Sequence, residues 1–442
     1  MSDDPDLDER QATYREVFAT GEVRALMGSF AISRASGMLA RVAVTFLVWN
    51  STGSTLLSAG AFAITYAPYL GPAQLLATLA DRLPYRTTMI VADFLRMILI
   101  GLVAIPGMPL PVMLTLMFGV ALVEPAYQSS RSALFPKLLF GDALTLGLSV
   151  YMTINQTAQL TGYVLGGVLA GLNPHLALAI NSACFGISGL LLIAFVSHRP
   201  AEKNGKERKN LFRETGEGFA LVFGNRVLRM IAFVVFTVVG FTIVTEGAAA
   251  AWSDHLGGGA LLQGLIMGTA PAATIVATIV FTRFVRPGLR QKLLRPMVLI
   301  APLALTTALL DPVWGAVLGI AAVAKLSSAV LAPLNATFVK AVPDGYRARA
   351  FSVMQSGMSL VQGLAVVSIG ALAESSLSVP QSVGLWGVAG VILVGLLLAF
   401  WPSSAEFAAA APRAERPAIE PPPSEWPLRE TPMTPAPVNS AA

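Results

Sequence analysis

The sequence predicts an all-α integral membrane protein whose twelve transmembrane helices form two related six-helix bundles. Only 12% of the 442 residues are charged and 55% are hydrophobic, whereas soluble globular domains carry about 25% charged residues. Twelve apolar segments are each long enough to cross about 30 Å of hydrocarbon. Segments that cross lipid must satisfy their backbone hydrogen bonds internally, which favours helices over strands. One long internal polar stretch divides the segments into six and six, which predicts the two bundles.

The chain divides into five predicted regions. A polar, cytoplasmic N-terminal segment (1–23) precedes the first bundle (24–197), and a cytoplasmic linker (198–227) joins that bundle to the second (228–402). The tail (403–442) is rich in Pro and Ala and cannot bury a core, so it is predicted to be disordered and cytoplasmic. The predicted spans are, in order, 24–50, 55–79, 87–106, 110–131, 143–171, 174–197, 228–252, 261–283, 292–311, 312–338, 349–373 and 381–402.

Lysine and arginine are confined to alternate connecting loops of this map. The loops 51–54, 107–109, 172–173, 253–260 and 374–380 contain neither residue. Loops that carry Lys and Arg stay on the cytoplasmic side of a membrane. We therefore predict a multi-pass protein of the plasma or inner membrane, with both termini and the linker in the cytoplasm and loop 253–260 outside.

The composition argues against several other classes of protein. Cys184 is the single cysteine, and His175, His198 and His255 lie in different loops, so neither a disulfide framework nor a metal centre is predicted. The sequence has no P-loop and no nucleophile–base set, so we expect no enzyme activity and no cofactor. Basic residues scattered over short loops indicate topology signals and contacts with membrane lipid rather than nucleic-acid binding. We expect a monomer.

The two halves share one ungapped register when the first is shifted by 203 positions. Matches continue through five pairs of predicted spans. Parallel six-helix repeats of this kind are typical of transporters that alternate access to a site near the middle of the membrane. The matched residues include Gly37 with Gly240, Trp49 with Trp252, Pro68 with Pro271, Lys137 with Lys340, Gln159 with Gln362 and Gly167 with Gly370.

Residues 77–86, ATLADRLPYR, resemble the loop 2–3 signature of the major facilitator superfamily. Asp81, Arg82 and Arg86 match that signature, while two of its glycines and one of its basic residues are replaced here. The resemblance extends over residues 20–402. It implies the fold of that superfamily, a central cavity lined by spans 1, 4, 7 and 10, and a gate at the cytoplasmic ends of the two halves.

The fifth span contains TGYVLGGVLAG, which resembles the antiporter signature of exporters in this superfamily. Gly162, Gly166 and Gly167 match, and Tyr163 replaces the signature's proline. Small residues at this spacing also let helices approach closely, so a helix-packing role and an exporter-specific role both stay open. The segments VEPAYQSSRSALFPKLL and VPDGYRARAFSV are similar to segments of macrolide-efflux-like and siderophore-exporter-like bacterial members.

Ionisable residues inside predicted spans are functional candidates, because placing a charge in lipid is costly. Those on cavity-lining spans are interpreted as coupling or cavity residues. Asp93 and Arg96 share one face of span 3 at a spacing of three, and we interpret them as support for the gate. The cavity candidates are Arg34, Arg41, Glu124, Glu246 and Lys325, and the gate candidates are Asp81, Arg82, Arg86, Asp93, Arg96 and Arg131.

Glu246 is the leading candidate for a proton-coupling carboxylate. Under the shift of 203 it falls on Ala43, about 3 Å in depth from Arg41. We expect these two residues to pair when the outer side closes, and Glu246 to take up a proton when it is left alone in the cavity. Glu124, predicted opposite Arg34, is the rival, and a static ion pair is the structural alternative. Possible substrate contacts are Gln156, Gln159, Tyr66 and Tyr69.

The sequence thus favours a secondary transporter that exports a small organic or drug-like compound in exchange for protons. An uptake symporter for a nutrient or metabolite shares the same fold and is the alternative. A non-transporting membrane receptor or scaffold is a third hypothesis, and the cavity carboxylates speak against it.

Overall fold

The computed structural model describes residues 12–71, 83–199 and 211–401, and that part of the chain is built from helices with no strand. The gate candidates Asp81 and Arg82 and the predicted tail lie outside the described residues. The described α-helices are α1 (Tyr14–Val17), α2 (Gly21–Thr52), α3 (Thr55–Ala63), α4 (Tyr85–Val103), α5 (Leu110–Leu138), α6 (Gly141–Leu172), α7 (Pro174–Phe195), α8 (Leu211–Gly224), α9 (Arg226–Thr242), α10 (Val244–Gly247), α11 (Ala249–His255), α12 (Gly259–Phe284), α13 (Pro287–Thr306), α14 (Trp314–Leu326), α15 (Leu331–Ala341), α16 (Arg347–Glu374) and α17 (Val379–Ala399).

The helices follow the predicted spans wherever those spans are described. Nine helical segments of the described ranges are long and apolar enough to cross a membrane by length and composition. The third and fifth spans are α4 and α6, and the second is described only as far as Gly71, through α3 and a 3₁₀ turn (Ala67–Leu70). The protein is therefore the all-α membrane protein that the sequence predicts.

Side-chain caps explain where several spans begin. The Ser54 side chain accepts a hydrogen bond from the backbone N–H of Leu57 and starts α3, directly after Gly53 ends α2 in the left-handed region with a φ of +63°. A glycine adopts that conformation without the clash that a Cβ would make. Asn173 and Ser378 cap α7 and α17 in the same way. These polar caps satisfy backbone N–H groups at the ends of segments that cross the membrane.

The two halves differ in the continuity of their cavity-lining helices. In the first half, α2 and α5 run without interruption for 32 and 29 residues. In the second half, the span related to α2 is broken into α9, α10 and α11, at Ile243 and Ala248. The span related to α5 is interrupted by a 3₁₀ segment, Ser327–Val330, between α14 and α15. Such interruptions within a span often mark functional sites or hinges.

The halves meet near one end of the bundle, called here the distal face, which holds residues 53, 255 and 375. There α6 packs against α12, and α3 packs against α16. Glu374 accepts hydrogen bonds from the Ser54 hydroxyl (3.1 Å) and from the Leu56 backbone N–H (3.2 Å), which joins the two halves at this face. The opposite end, which holds residues 21, 199 and 347, is called the N-terminal face.

Part of the predicted linker is a helix at the N-terminal face. Helix α8 packs against α16, where the Arg349 guanidinium donates a 2.7 Å hydrogen bond to the Glu217 carboxylate. Gly218 permits this contact, because a Cβ there would lie 2.9 Å from the backbone carbonyl oxygen of Arg349. The helix therefore belongs structurally with the second half.

The predicted outer loop 253–260 begins later than expected. Ser253 is still part of α11 and is only 1% exposed. Exposure begins at Asp254, after which the chain turns through Gly257.

Candidate functional site

A cavity of about 460 Å³ lies between the halves, on the N-terminal side of the distal contact. Both halves line it. The first half contributes residues of α2, α4, α5, α6 and α7 and of the 3₁₀ turn, and the second contributes residues of α10, α14 and α16. Of the predicted cavity residues, Arg34, Arg41, Glu124, Glu246 and Lys325 all line this space.

Glu246 lies at the break in the first span of the second half. Its carboxylate accepts a 3.2 Å hydrogen bond from the Lys325 ammonium, at the point where α14 gives way to the 3₁₀ segment. It also accepts a 3.1 Å hydrogen bond from the Tyr163 hydroxyl, which belongs to α6 of the other half. Glu246 is 7% exposed. Both partners stabilise the ionised carboxylate, and one of them comes from across the interface.

The expected Glu246–Arg41 ion pair is wrong for this conformation, because Lys325 is the cation bonded to Glu246. Tyr163 stands between the two expected partners, since it interacts with Arg41 as well as with Glu246. The Arg41 guanidinium instead lies over the rings of Phe62, 4.9 Å from its centroid, and of Tyr66, at 5.9 Å. Arg41 and Glu246 still interact electrostatically within one cavity.

Glu124 and Arg96 form a second ionic cluster, entirely within the first half. Arg96 forms ion pairs with Asp93, at 2.7 Å, and with Glu124. Gln128 donates a 2.8 Å hydrogen bond to Glu124, and Ser188 donates a 2.7 Å hydrogen bond to Asp93. The predicted Asp93–Arg96 contact is confirmed. Glu124, which the sequence predicts opposite Arg34, forms its ion pair with Arg96, because Arg96 reaches from α4 to α5.

Arg34 and Arg131 lie on the same wall of the cavity. The Arg34 Nε donates a 3.0 Å hydrogen bond to the Asn155 side chain. One turn earlier on α6, the Tyr151 hydroxyl accepts a 2.6 Å hydrogen bond from Arg131. The Arg131 guanidinium also lies 4.1 Å from the Phe30 ring centroid, so an aromatic environment replaces water around this buried cation.

Arg86 is the gate candidate of the loop signature that the structure describes. Its guanidinium donates a 2.7 Å hydrogen bond to the backbone carbonyl of Ile193, near the C-terminal end of α7. A cation at this position satisfies a carbonyl that the helix leaves free. The contact ties the start of α4 to the end of α7 at the N-terminal face.

The three glycines of the fifth-span motif have distinct neighbours. A Cβ at Gly162 would clash with the backbone of Ala35, and one at Gly166 would lie 2.9 Å from the Leu39 Cα, so both glycines let α6 lie against α2. A Cβ at Gly167 would instead lie 2.7 Å from the carbonyl oxygen of Ala260 and 3.0 Å from the Gly264 Cα, in the other half. The motif thus permits close packing on both sides of α6.

The predicted substrate contacts have two different positions, either in the cavity lining or behind it. Tyr66, Tyr69 and Gln159 line the cavity, whereas Gln156 is not part of the lining. The Gln156 side-chain oxygen accepts hydrogen bonds from Asn155 and Gln159, so it orients two residues that do line it. Sequence reasoning missed Asn155, Tyr163, Gln355, Ser359 and Gln362 as cavity residues. The internal repeat held a signal for Gln362, which is the repeat mate of Gln159.

No cluster of three or more His, Cys, Asp or Glu side chains suited to a metal occurs in the ranges 12–71, 83–199 and 211–401. The arrangement offers instead two sets of buried charges around a space between two bundles. Such a site can bind a small solute and can exchange a proton at a carboxylate.

The family model of the Major Facilitator Superfamily matches residues 25–323, and the chain belongs to that superfamily. Its fold is similar to a peptide transporter POT in complex with sulfate, with a TM-score of 0.69, 14% identity, and coverage of 93% of this chain and 100% of the other. It is also similar to the nucleoside transporter NupG, with a TM-score of 0.67, 15% identity, and coverage of 85% and 100%.

A third similar structure is a bacterial homolog of the human lysosomal transporter Spinster in an inward-facing and occupied conformation. Its TM-score is 0.63 at 14% identity, with coverage of 87% of this chain and 95% of the other. A search of curated proteins found no match. The class of protein is therefore a membrane transporter of the major facilitator fold, and at these identities the solved structures show the fold alone.

Proposed function

We propose that this protein is a proton-coupled secondary transporter of small organic compounds, in which Glu246 carries the proton. The main support for this proposal is that Glu246 is buried at a helix break beside the cavity and accepts a hydrogen bond from Tyr163 of the other half. Transport proceeds by alternating access, in which the two bundles rock about the cavity. The chain lies in the cell membrane as a monomer, with both termini in the cytoplasm and the N-terminal face inside.

The proton step follows from which contacts change as the bundles rock. The Tyr163–Glu246 hydrogen bond joins α6 to α10, close to the α6–α12 contact at the distal face. Opening the distal face separates the halves and removes this donor from Glu246. A carboxylate that loses a hydrogen-bond donor in an apolar site takes up a proton more readily. We propose that Glu246 keeps its charge while Tyr163 and Lys325 are both bonded to it, and that it accepts the proton once the distal face opens and Lys325 alone remains.

Glu124 is the weaker candidate for the proton carrier. Its partners Arg96 and Gln128 both belong to the first half. A rocking motion of rigid bundles leaves these contacts in place, so it does not change the stability of the Glu124 charge. We propose that the cluster of Asp93, Arg96 and Glu124 instead holds α4, α5 and α7 together behind the gate, with Arg131 beside it.

Export is the direction that the fifth-span glycine motif favours, with the proton entering as the compound leaves. Uptake together with a proton is the second candidate, because five cationic side chains of the described residues line the cavity against two carboxylates. A cavity rich in cations binds an anion, and a bound anion and a bound proton stabilise each other. Export predicts that a compound and a proton compete, whereas uptake predicts that each strengthens the binding of the other.

The experiment that tests this function starts from an efflux-deficient host grown on a panel of toxic compounds and nutrients, with and without the gene. A compound whose growth effect depends on the gene is then followed in proteoliposomes with a trapped pH dye and an imposed pH gradient. We expect compound movement to change the internal pH, and a protonophore to abolish accumulation. The sign of the pH change distinguishes exchange from co-transport. Accumulation that depends neither on the pH gradient nor on the protonophore would contradict proton coupling.

A further inference from the structure

Among the described residues, the charges around the cavity do not balance. Five cationic side chains line it, against the two carboxylates of Glu124 and Glu246. Asp93 adds a third carboxylate behind Arg96. With every group ionised, five cations and three carboxylates leave a net charge of +2. The lining cations are Arg34, Arg41, Arg96, Arg131 and Lys325.

The excess is carried by three arginines of the first half. Among the described residues, the ion pairs of the cavity use only Arg96 and Lys325 as cations. Arg34 is bonded to the neutral Asn155, Arg131 to the neutral Tyr151, and Arg41 lies over aromatic rings. Neutral hydrogen-bond acceptors and ring faces orient these guanidinium groups without cancelling their charge.

Two of these arginines are placed to meet a bound solute. Arg34 and Arg41 are seven residues apart on the uninterrupted α2, which puts them on one face with a rise of about 10.5 Å between them. Both are partly exposed to the cavity. Arg131 is 5% exposed and lies against Phe30 and Tyr151, so it contributes positive potential rather than a direct contact.

Positive charge without a counterion is costly to hold within a membrane protein. A ligand that brings its own negative charge removes this cost and gains hydrogen bonds to planar guanidinium groups. A cationic ligand would add to the imbalance and would find Glu124 and Glu246 already bonded to Arg96 and Lys325. The electrostatics of the cavity therefore discriminate between ligands by the sign of their charge.

We propose that the substrate is an organic anion whose carboxylate, sulfonate or phosphate group binds Arg34 or Arg41. Aromatic rings of Tyr66, Tyr69 and Tyr127 line the same cavity and suit an apolar or aromatic body. The substrate is thus an amphiphilic anion that fits within about 460 Å³. This inference rests on the proposed transport function only in treating the cavity as the substrate site.

The test compares ligands that differ in charge alone. Thermal unfolding of the purified protein is measured with 4-phenylbutanoate, its neutral amide and 4-phenylbutylammonium. A second series replaces the phenyl ring of these three compounds by naphthalene. A carboxylate is expected to raise the unfolding temperature in at least one series, while its amide and ammonium partners leave it unchanged. Equal stabilisation by all three, preference for the ammonium compounds, or no stabilisation by either carboxylate would overturn the proposal.

Variants locate the binding site. At least one of Arg34→Gln and Arg41→Gln is expected to weaken carboxylate binding about tenfold or more, because it removes the charged hydrogen-bond donor that holds the carboxylate. Arg34→Lys retains the charge and should recover most of the lost affinity. Arg24→Gln, at an exposed position ten residues before Arg34 on the same helix, is the matched control and should bind like the unchanged protein. Binding that is insensitive to both Arg34→Gln and Arg41→Gln would also overturn the proposal.

The binding assay needs no pH gradient, so its outcome is separate from that of the proposed function. Carboxylate binding without pH-driven accumulation would leave the anion site standing and remove proton coupling. Proton-driven accumulation of a neutral or cationic compound would support proton coupling and contradict the anion site.

Discussion

The two halves of the protein have related backbones but different charge distributions. The first half holds Asp93, Arg96 and Glu124 in one buried network, together with three arginines that form no ion pair with a carboxylate of the described residues. Among the described residues, the charged side chains that the second half contributes to the cavity lining are Glu246 and Lys325. Its spans are interrupted beside both residues, where the related α2 and α5 are continuous. We propose from this comparison that the first half binds the substrate and the second half moves the proton.

The largest expected effect of this difference is on stability. Arg96→Leu leaves the buried Asp93 and the adjacent Glu124 without their shared cation. Breaking a buried ion pair by removing one partner costs about 3–5 kcal/mol. Lys325→Leu leaves one carboxylate that keeps Tyr163 as a donor, and we expect about 1–3 kcal/mol.

Thermal or denaturant unfolding of both variants in one detergent measures this contrast, with Arg24→Leu at an exposed position as the control. If Lys325→Leu lowers the free energy of unfolding as much as Arg96→Leu does, the two clusters contribute equally to stability. That result would contradict the proposal that the ionic cluster of the first half has the larger structural role.

The distal contact is the feature in which the halves should behave alike. Gly167 and its repeat mate Gly370 both face the opposite half. A Cβ at Gly370 would lie 2.6 Å from the Ala59 Cβ and 3.1 Å from the Leu56 Cα. We expect Gly167→Ala and Gly370→Ala each to hinder closure of the distal face and to reduce transport at least tenfold, with the protein still in the membrane.

Gly171→Ala is the matched control for this prediction, because its added Cβ would meet only the Ala260 Cβ, at an ordinary 3.8 Å. It should transport at the rate of the unchanged protein. Transport rates in cells, normalised to the amount of protein in the membrane, measure all three variants. Full activity of Gly167→Ala would mean that this close approach is not needed for the transport cycle.

A smaller and more selective effect is expected at Tyr163. Tyr163→Phe keeps the ring and removes the hydroxyl that donates to Glu246. A hydrogen bond to a charged group contributes about 1.5–3 kcal/mol, enough to slow proton-driven accumulation about tenfold. Substrate exchange at equal pH on both sides should change less than twofold, because it needs no net proton movement. An equal fall in both rates would make Tyr163 a packing residue.

The sequence predicted the spans and the Asp93–Arg96 contact, because each depends on local periodicity. It placed Glu246 in the cavity but paired it with Arg41 on depth alone. The actual partner, Lys325, is 79 residues away, and the contact depends on how α10 and α14 are rotated toward each other. Rotation of this kind is set by tertiary packing, such as the contact of Gly247 with Val366.

The breaks in the second half are harder to predict from the sequence. Residues 243–248 contain no proline, whereas Pro333 removes the backbone N–H that would otherwise bond to the Ala329 carbonyl in the 3₁₀ segment. Tyr163 was visible only as a departure from a glycine-rich motif. Its role as a donor across the interface emerges when α6 is seen against α10.

The proposal that Glu246, and not Glu124, carries the proton is tested most directly by comparing Glu246→Gln with Glu124→Gln in proteoliposomes. Both variants replace a cavity carboxylate by an amide of the same shape, and each is assayed for substrate exchange and for accumulation driven by a pH gradient. We expect Glu246→Gln to retain exchange and to lose accumulation. Glu124→Gln should retain coupling in whatever fraction of the protein stays folded. Accumulation at the unchanged level by Glu246→Gln, or loss of coupling in Glu124→Gln alone, would contradict the account.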